Sequence, residues 1–205
     1  MQYDVEDKEI KDAEYLILFI LGKAGGKIGV LHLHKIFFTL WKFHPAIRKL
    51  VNFVPHLKGP YSFDIDELIK SPTYVSECWK FIPPGNSEAE RVEGGYLIIT
   101  KKGKEIYKKL VEGLNKKSKE DADALALVSA IDLIVPLYTR LDWQELLFLL
   151  YTDESNKKYS KKSELSNKIL KKTETIVRRL VKKGIIPENK RDLLIDRAKS
   201  ASWLK

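Results

Sequence analysis

Apolar residues recur at helical spacing from the start of the chain. Ile10, Ala13, Ile17, Ile20 and Leu21 share one side of a helix predicted over residues 8–21. The acidic opening Asp4, Glu6, Asp7 and Glu9 suits the positive end of a helix dipole. Gly22, Gly25, Gly26 and Gly29 end that helix and leave room for a short strand at Lys27–Gly29. A second helix over Val30–Phe43 closes at Pro45, and a short connection follows. Gly59-Pro60-Tyr61-Ser62 predicts a turn whose serine caps a third helix, Phe63–Lys70, stopped by Ser71-Pro72. The pattern then changes period. Residues 78–82 and Tyr96–Ile99 are short runs of aromatic and β-branched residues, separated by a polar stretch with Pro83, Pro84, Gly85, Gly94 and Gly95. They predict the two strands of a wing. Thr100 is a natural cap for a helix over residues 101–114, with Ile106, Leu110 and Leu114 along one face.

The second half reads as helical throughout, over residues 120–141, 143–151, 163–183 and 188–203. Asp142 caps the second of these, Gly184 ends the third and Pro187 opens the fourth. The longest apolar stretch, residues 122–138, is broken by Ser129, Asp132 and Pro136. It is too short and too polar for a comfortable membrane span and predicts a buried core helix, with no membrane among the partners. Helix, short strand, helix, helix, hairpin, helix is the order of a winged helix-turn-helix. The expectation is therefore a mainly α protein with a small β-wing. A winged-helix domain over residues 1–117 precedes a helical domain or extension over residues 118–205.

Composition adds limits to this outline. A chain of 205 residues with 44% hydrophobic content buries an ordinary core without a staple. Cys78 stands alone and cannot form an internal disulfide, and no export-signal pattern opens the chain, which points to the cytoplasm. Lys and Arg number 37 against 28 Asp and Glu, with few glutamines, one Cys and one Met, a thermophile-like balance in which a basic surface can be merely a solvated one. The net charge of +9 is concentrated in two segments, residues 101–119 and 156–191, and the remainder is acidic on balance.

Leu33-His34-Lys35-Ile36-Phe37-Phe38 followed by Lys58-Gly59-Pro60-Tyr61-Ser62 resembles the L-Q-K-aliphatic-aromatic helix and later Y-G-P turn of the Panacea (SocA-like antitoxin) family and related archaeal winged-helix proteins. The likeness covers the first half of the chain; His34 stands where glutamine is usual and Lys58 where an aromatic is usual. Thr100-Lys101-Lys102-Gly103 is similar to the turn after the wing in many winged-helix regulators. The resemblance implies a protein-binding adaptor or antitoxin-like module as readily as a DNA-binding regulator.

Catalytic and cofactor motifs are weak by comparison. Gly22-Lys23-Ala24-Gly25-Gly26-Lys27 has the wrong spacing for a phosphate-binding loop, and Ile28 takes the place of its Ser or Thr. His32 and His34 lie about 200° apart around a helix, so they cannot share a metal. His44 and His56 flank a loop. Cys78, beside Trp79, reads as a small buried hydrophobe. Asp64, Asp66 and Glu67, with Glu77 nearby, read as a solvated helix face, and they make the third helix, the usual major-groove reader, acidic. No catalytic residue, metal or cofactor is expected.

The strongest signal lies in residues 163–183. Leu165, Ile169, Thr173, Ile176, Val177 and Leu180 project to one side, and Lys168, Lys171, Lys172, Arg178, Arg179, Lys182 and Lys183 to the other. The expectation is a non-enzymatic nucleic-acid-associated protein, in the manner of a winged-helix transcriptional regulator, binding double-stranded DNA mainly through phosphate. Its contacts would be Lys101, Lys102 and Lys104 at the wing-to-helix junction and Lys171, Lys172, Arg178, Arg179, Lys182 and Lys183. A protein-interaction module with a protein partner is the alternative, and a homodimer is compatible with both.

Overall fold

The computed structural model describes residues 2–201, which pack into two compact units. The first holds the chain up to Phe53 together with Ser62–Thr139; the second holds Val54–Tyr61 and the chain from Arg140 onward. The boundary therefore differs from the expected division after residue 117, because the long apolar helix of residues 122–139 packs with the first half and an eight-residue hairpin leaves the first half for the second unit.

The first unit is built on α1 (Gln2–Lys23), whose stretch Leu16–Leu21 is buried on every side. That explains an apolar run with no polar face: the helix lies against α3 (Pro45–Leu50), α4 (Phe63–Lys70), α6 (Lys101–Lys117), α7 (Ala122–Thr139) and β5 (Tyr96–Ile99). The chain leaves α1 through Gly25 and Gly26, both at positive φ, and a Cβ on Gly26 would sit 2.6 Å from the Ile99 side chain. It enters β1 (Lys27–Gly29) and then α2 (Val30–Phe43). β1, β5 and β4 (Trp79–Ile82) form an antiparallel sheet in the order β1-β5-β4, with Ile28 opposite Leu97 and Phe81 opposite Leu97 on the other side. Leu97 and Ile99 point into the core and Ile98 points out, the alternation of a half-covered sheet.

Local chemistry agrees with several sequence expectations. The Ser62 hydroxyl accepts the Ile65 N–H at the start of α4. Thr100 accepts the Gly103 N–H at the start of α6 and donates to the Glu77 carbonyl. Gly103 must be glycine for close approach, since a Cβ there would lie 2.0 Å from the Cys78 carbonyl oxygen. Other elements differ from expectation. The stretch between β4 and β5 holds α5 (Glu88–Glu93), opened by a reciprocal Ser87–Glu90 capping box. α3 fills what reads as a plain connection after Pro45. α7, which the sequence predicts as a buried core helix, carries Leu125 and Leu133 on an exposed side. By length and composition it is the one helix among the described residues apolar enough to cross a membrane.

In the second unit, Gly59-Pro60-Tyr61 forms a strand and not a turn. β3 (Gly59–Tyr61) pairs with β2 (Val54–His56), and Leu57-Lys58 make the bend; a two-stranded ribbon tolerates the missing N–H of Pro55 and Pro60. α8 (Trp143–Tyr151) is capped by Asp142, which accepts the Gln144 and Glu145 N–H groups. A 3-10 turn at Glu154–Asn156 leads into α9 (Lys157–Ser160). The long helix expected over residues 163–183 is two pieces, α10 (Ser166–Leu170) and α11 (Thr173–Lys182), separated at Lys171 and Lys172. Gly184 ends α11 at positive φ, and after a second 3-10 turn α12 (Arg191–Ser200) folds back along α11. Trp203, expected within the last helix, lies outside the described residues.

Candidate nucleic-acid interface

Residues 157–173 alternate between exposed lysines and buried anchors. Lys157, Lys158, Lys161, Lys162, Lys171 and Lys172 face solvent, while Tyr159, Ser160, Ser163, Ser166, Ile169 and Thr173 are buried. The buried hydroxyls are satisfied locally: Ser160 donates to the Asn156 carbonyl, Ser166 to the Ser163 carbonyl and Thr173 to the Leu170 carbonyl. Ser163 donates to the Leu57 carbonyl at 2.8 Å, and the Tyr151 hydroxyl is hydrogen bonded to Ser163. The Glu164 N–H also donates to Leu57, so the basic segment is tied to the β2–β3 hairpin. A short polar spine thus holds the segment while its lysines turn outward.

The interruption of the helix at Lys171 and Lys172 changes the expected stripe without dispersing it. Ile169, Thr173, Ile176, Val177 and Leu180 remain on the buried side and Arg178 and Lys182 on the exposed side. Lys171 and Lys172 meet Lys199 of α12 around a cleft of about 310 Å³ at the amino end of α11, where Glu174 supplies the one carboxylate. A wider cleft of about 500 Å³ between α11 and α12 mixes Arg178, Arg191 and Lys199 with Glu174, Glu188 and Asp192, so it has no single sign. Sequence reasoning missed Lys199, because nothing in the local pattern says that α12 returns alongside α11.

Arg179 and Lys183 are engaged elsewhere. Glu145 of α8 is fully buried, with one carboxylate oxygen 2.6 Å from Lys183 Nζ and the other 3.6 Å from Arg179 Nε. Arg179 also reaches Asp142 at 2.9 Å and the Gln144 side chain at 3.2 Å, and Lys183 donates to the Arg140 carbonyl. Their charge offsets a buried carboxylate and secures α11 to the start of α8. By contrast, Lys161, Lys162, Lys171, Lys172, Arg178 and Lys182 make no ion pair among the described residues.

In the first unit Lys101 and Lys104 are exposed at the start of α6 and make no ion pair among the described residues, and Lys102 bonds Glu77 at 3.0 Å. α4 carries the opposite character. Phe63 is 65% exposed, Asp64 accepts the Asn52 N–H, Asp66 pairs with Lys70, and Glu67 faces solvent.

The remaining candidate chemistry is separately occupied. Amides after α1 donate back into that helix, Gly25 to Gly22, Gly26 to Leu21 and Ala24 to Ile20, which leaves no amide cradle for phosphate there. His32 Nδ1 lies 3.1 Å from a Glu93 carboxylate oxygen, His34 accepts the Ser62 N–H, His44 contacts the Asp123 carbonyl, and His56 stacks on Tyr61. Among the described residues, no group of three or more His, Cys, Asp or Glu is placed to hold a metal ion. Cys78 is fully buried, and burial pushes its thiol above the ordinary value.

The class that fold and surface define is a mainly helical protein with a small antiparallel sheet and a second unit that exposes a lysine-rich face. Compared with family models, curated proteins and solved structures, the chain matches none.

Proposed function

We propose that this protein is a cytoplasmic, non-enzymatic winged-helix protein that binds double-stranded DNA mainly through its phosphates. The winged-helix reading is supported by the order β1-β5-β4, with α2 and α4 before the β4–β5 hairpin and α6 after it. The observation that carries the binding reading is the set of exposed cations on the second unit that have no carboxylate partner among the described residues: Lys161, Lys162, Lys171, Lys172, Arg178 and Lys182. The first unit separately exposes Lys101 and Lys104 on α6. α4, the helix in the position of the usual groove reader, is acidic and aromatic on its exposed side, which opposes base readout from that helix.

The test is fluorescence anisotropy with a labelled duplex and a labelled single strand across a salt series. Affinity for the duplex is expected to fall log-linearly with salt and to drop in a Lys171→Glu, Lys172→Glu, Arg178→Glu, Lys182→Glu variant. No binding at low salt, or binding indifferent to those four changes, sinks the reading. A second reading, a protein-interaction module of antitoxin or adaptor type, is favoured by one observation, the exposed Phe63 beside Glu67 on α4. Capture of a protein partner that Phe63→Ala abolishes would mark that reading as the correct one.

A further inference from the structure

α7 shows to solvent the kind of surface that α1 hides. Leu125 is 51% and Leu133 is 71% exposed, and Ala122, Ala126, Ser129 and Pro136 lie exposed with them. Single exposed leucines are ordinary, but a stripe at helical spacing is not. The helix also contains no Lys or Arg, in a chain that has 37. Its Asp132, on the flank of the stripe, is held by Lys23 of the same chain at 2.6 Å. Apart from exposed Asp123 at its amino end and Asp132 on its flank, the outer face is thus apolar on a molecule whose net charge is +9.

The stripe is also self-complementary. Leu125 and Leu133 lie four residues before and after Ser129, and Ala122 and Pro136 lie seven before and after it. Two copies of the helix crossing antiparallel at Ser129 would seat each Leu125 beside Leu133 of the second copy. The small serines at the centre permit close approach. Asp132 would then face Ala126, whereas a parallel pairing would set Asp132 against Asp132. That arrangement has the symmetry of an isologous two-fold contact, in which the same patch serves both sides.

We propose that α7 is the seam of an antiparallel homodimer of this chain. The proposal goes beyond nucleic-acid binding and does not depend on it. A single helix seam is small beside the roughly 800 Å² per partner of a standard interface, so the association is expected to be weak and concentration-dependent. The two contacts also respond oppositely to salt: the apolar seam holds or tightens as screening reduces repulsion between basic copies, while phosphate binding weakens.

Sedimentation velocity on the full chain over a micromolar concentration series tests it. The expected result is a monomer–dimer equilibrium that Leu133→Glu shifts to monomer with the far-UV circular dichroism spectrum unchanged, since Leu133 is exposed. A Ser129→Cys variant is expected to form a disulfide-linked dimer on mild oxidation, because the seam brings position 129 against its own copy, whereas buried Cys78 does not cross-link the wild type. A monomer at every concentration overturns the proposal, as does a dimer indifferent to Leu133→Glu. Leu133-dependent sedimentation of a monomer with phosphatidylcholine vesicles also overturns it and assigns the face to lipid.

Discussion

Glu14 illustrates how one side chain can organise a segment far from it in sequence. It is fully buried in α1, and its carboxylate accepts the N–H groups of Thr73, Tyr74 and Val75 at 2.6, 2.7 and 2.9 Å. These three amides lie in the irregular stretch between α4 and β4, where no ladder would satisfy them. Glu14→Ala would strand one buried donor, Val75 N–H, and two partly buried ones, and is expected to cost about 2 kcal/mol, read from urea unfolding; a loss below a few tenths would mean that water replaces the carboxylate. The sequence offers no sign of this role. Glu14 sits among apolar residues at a position that the helical pattern treats as an interruption, and its partners are some sixty residues away.

At the scale of elements, carboxylates hold two helix starts. Glu90 is kept below the usual carboxylate value by the Ser87 hydroxyl and then the Ser87 N–H, in the capping box of α5. Asp121 is kept low chiefly by the Ala124 N–H at the start of α7. A depressed folded-state value means that stability is present above the unfolded value and is lost as pH falls through the folded one. Chemical unfolding midpoints are therefore expected to decline below about pH 4. Glu90→Gln and Asp121→Asn should each flatten that decline, and an unchanged acid limb in both variants would remove the assignment.

α10 and α11 show where periodicity misleads at this same scale. A continuous 100° repeat over residues 163–183 separates most buried from exposed positions, because a short turn at Lys171 and Lys172 preserves the phase, but Leu165, Arg179 and Lys183 are half-buried, the last two against Glu145. The break itself carries no Pro or Gly, so the local sequence does not announce it. The β2–β3 hairpin is illegible for a related reason: Pro55, Gly59 and Pro60 are turn-forming residues that here lie in paired strands. The Ser62 and Thr100 caps, by contrast, are legible because an N-cap bond spans only three residues.

For the whole molecule, the decisive quantity is how many of its cations are free to meet phosphate. Net charge cannot separate Lys171 and Lys172 from Arg179 and Lys183, although all four lie in one basic run. The structure places the latter pair on buried Glu145. Arg179→Ala is expected to lower stability by about 1 to 2 kcal/mol, reduced from the full cost of an unpaired buried charge because Lys183 remains and Arg179 is partly exposed. It should leave the salt dependence of duplex binding nearly intact. Replacing Lys171 and Lys172 by glutamine should do the reverse, with unchanged melting and a salt slope reduced by about 0.9 for each phosphate that is no longer neutralised. Identical effects from both variants would show that the run does not divide in this way.

By itself the sequence determined what short-range physics controls: the spans of α2, α4, α8 and β5, the caps at Ser62, Asp142 and Thr100, and the sign of each surface segment. Helical phase and capping act over a few residues, so a linear reading captures them. The tertiary structure alone decided which side of α7 is covered, which cations are consumed by Glu145, and that Lys199 joins Lys171 and Lys172. Each of these depends on contacts between segments distant in the chain, where burial, and not local preference, sets the free energy.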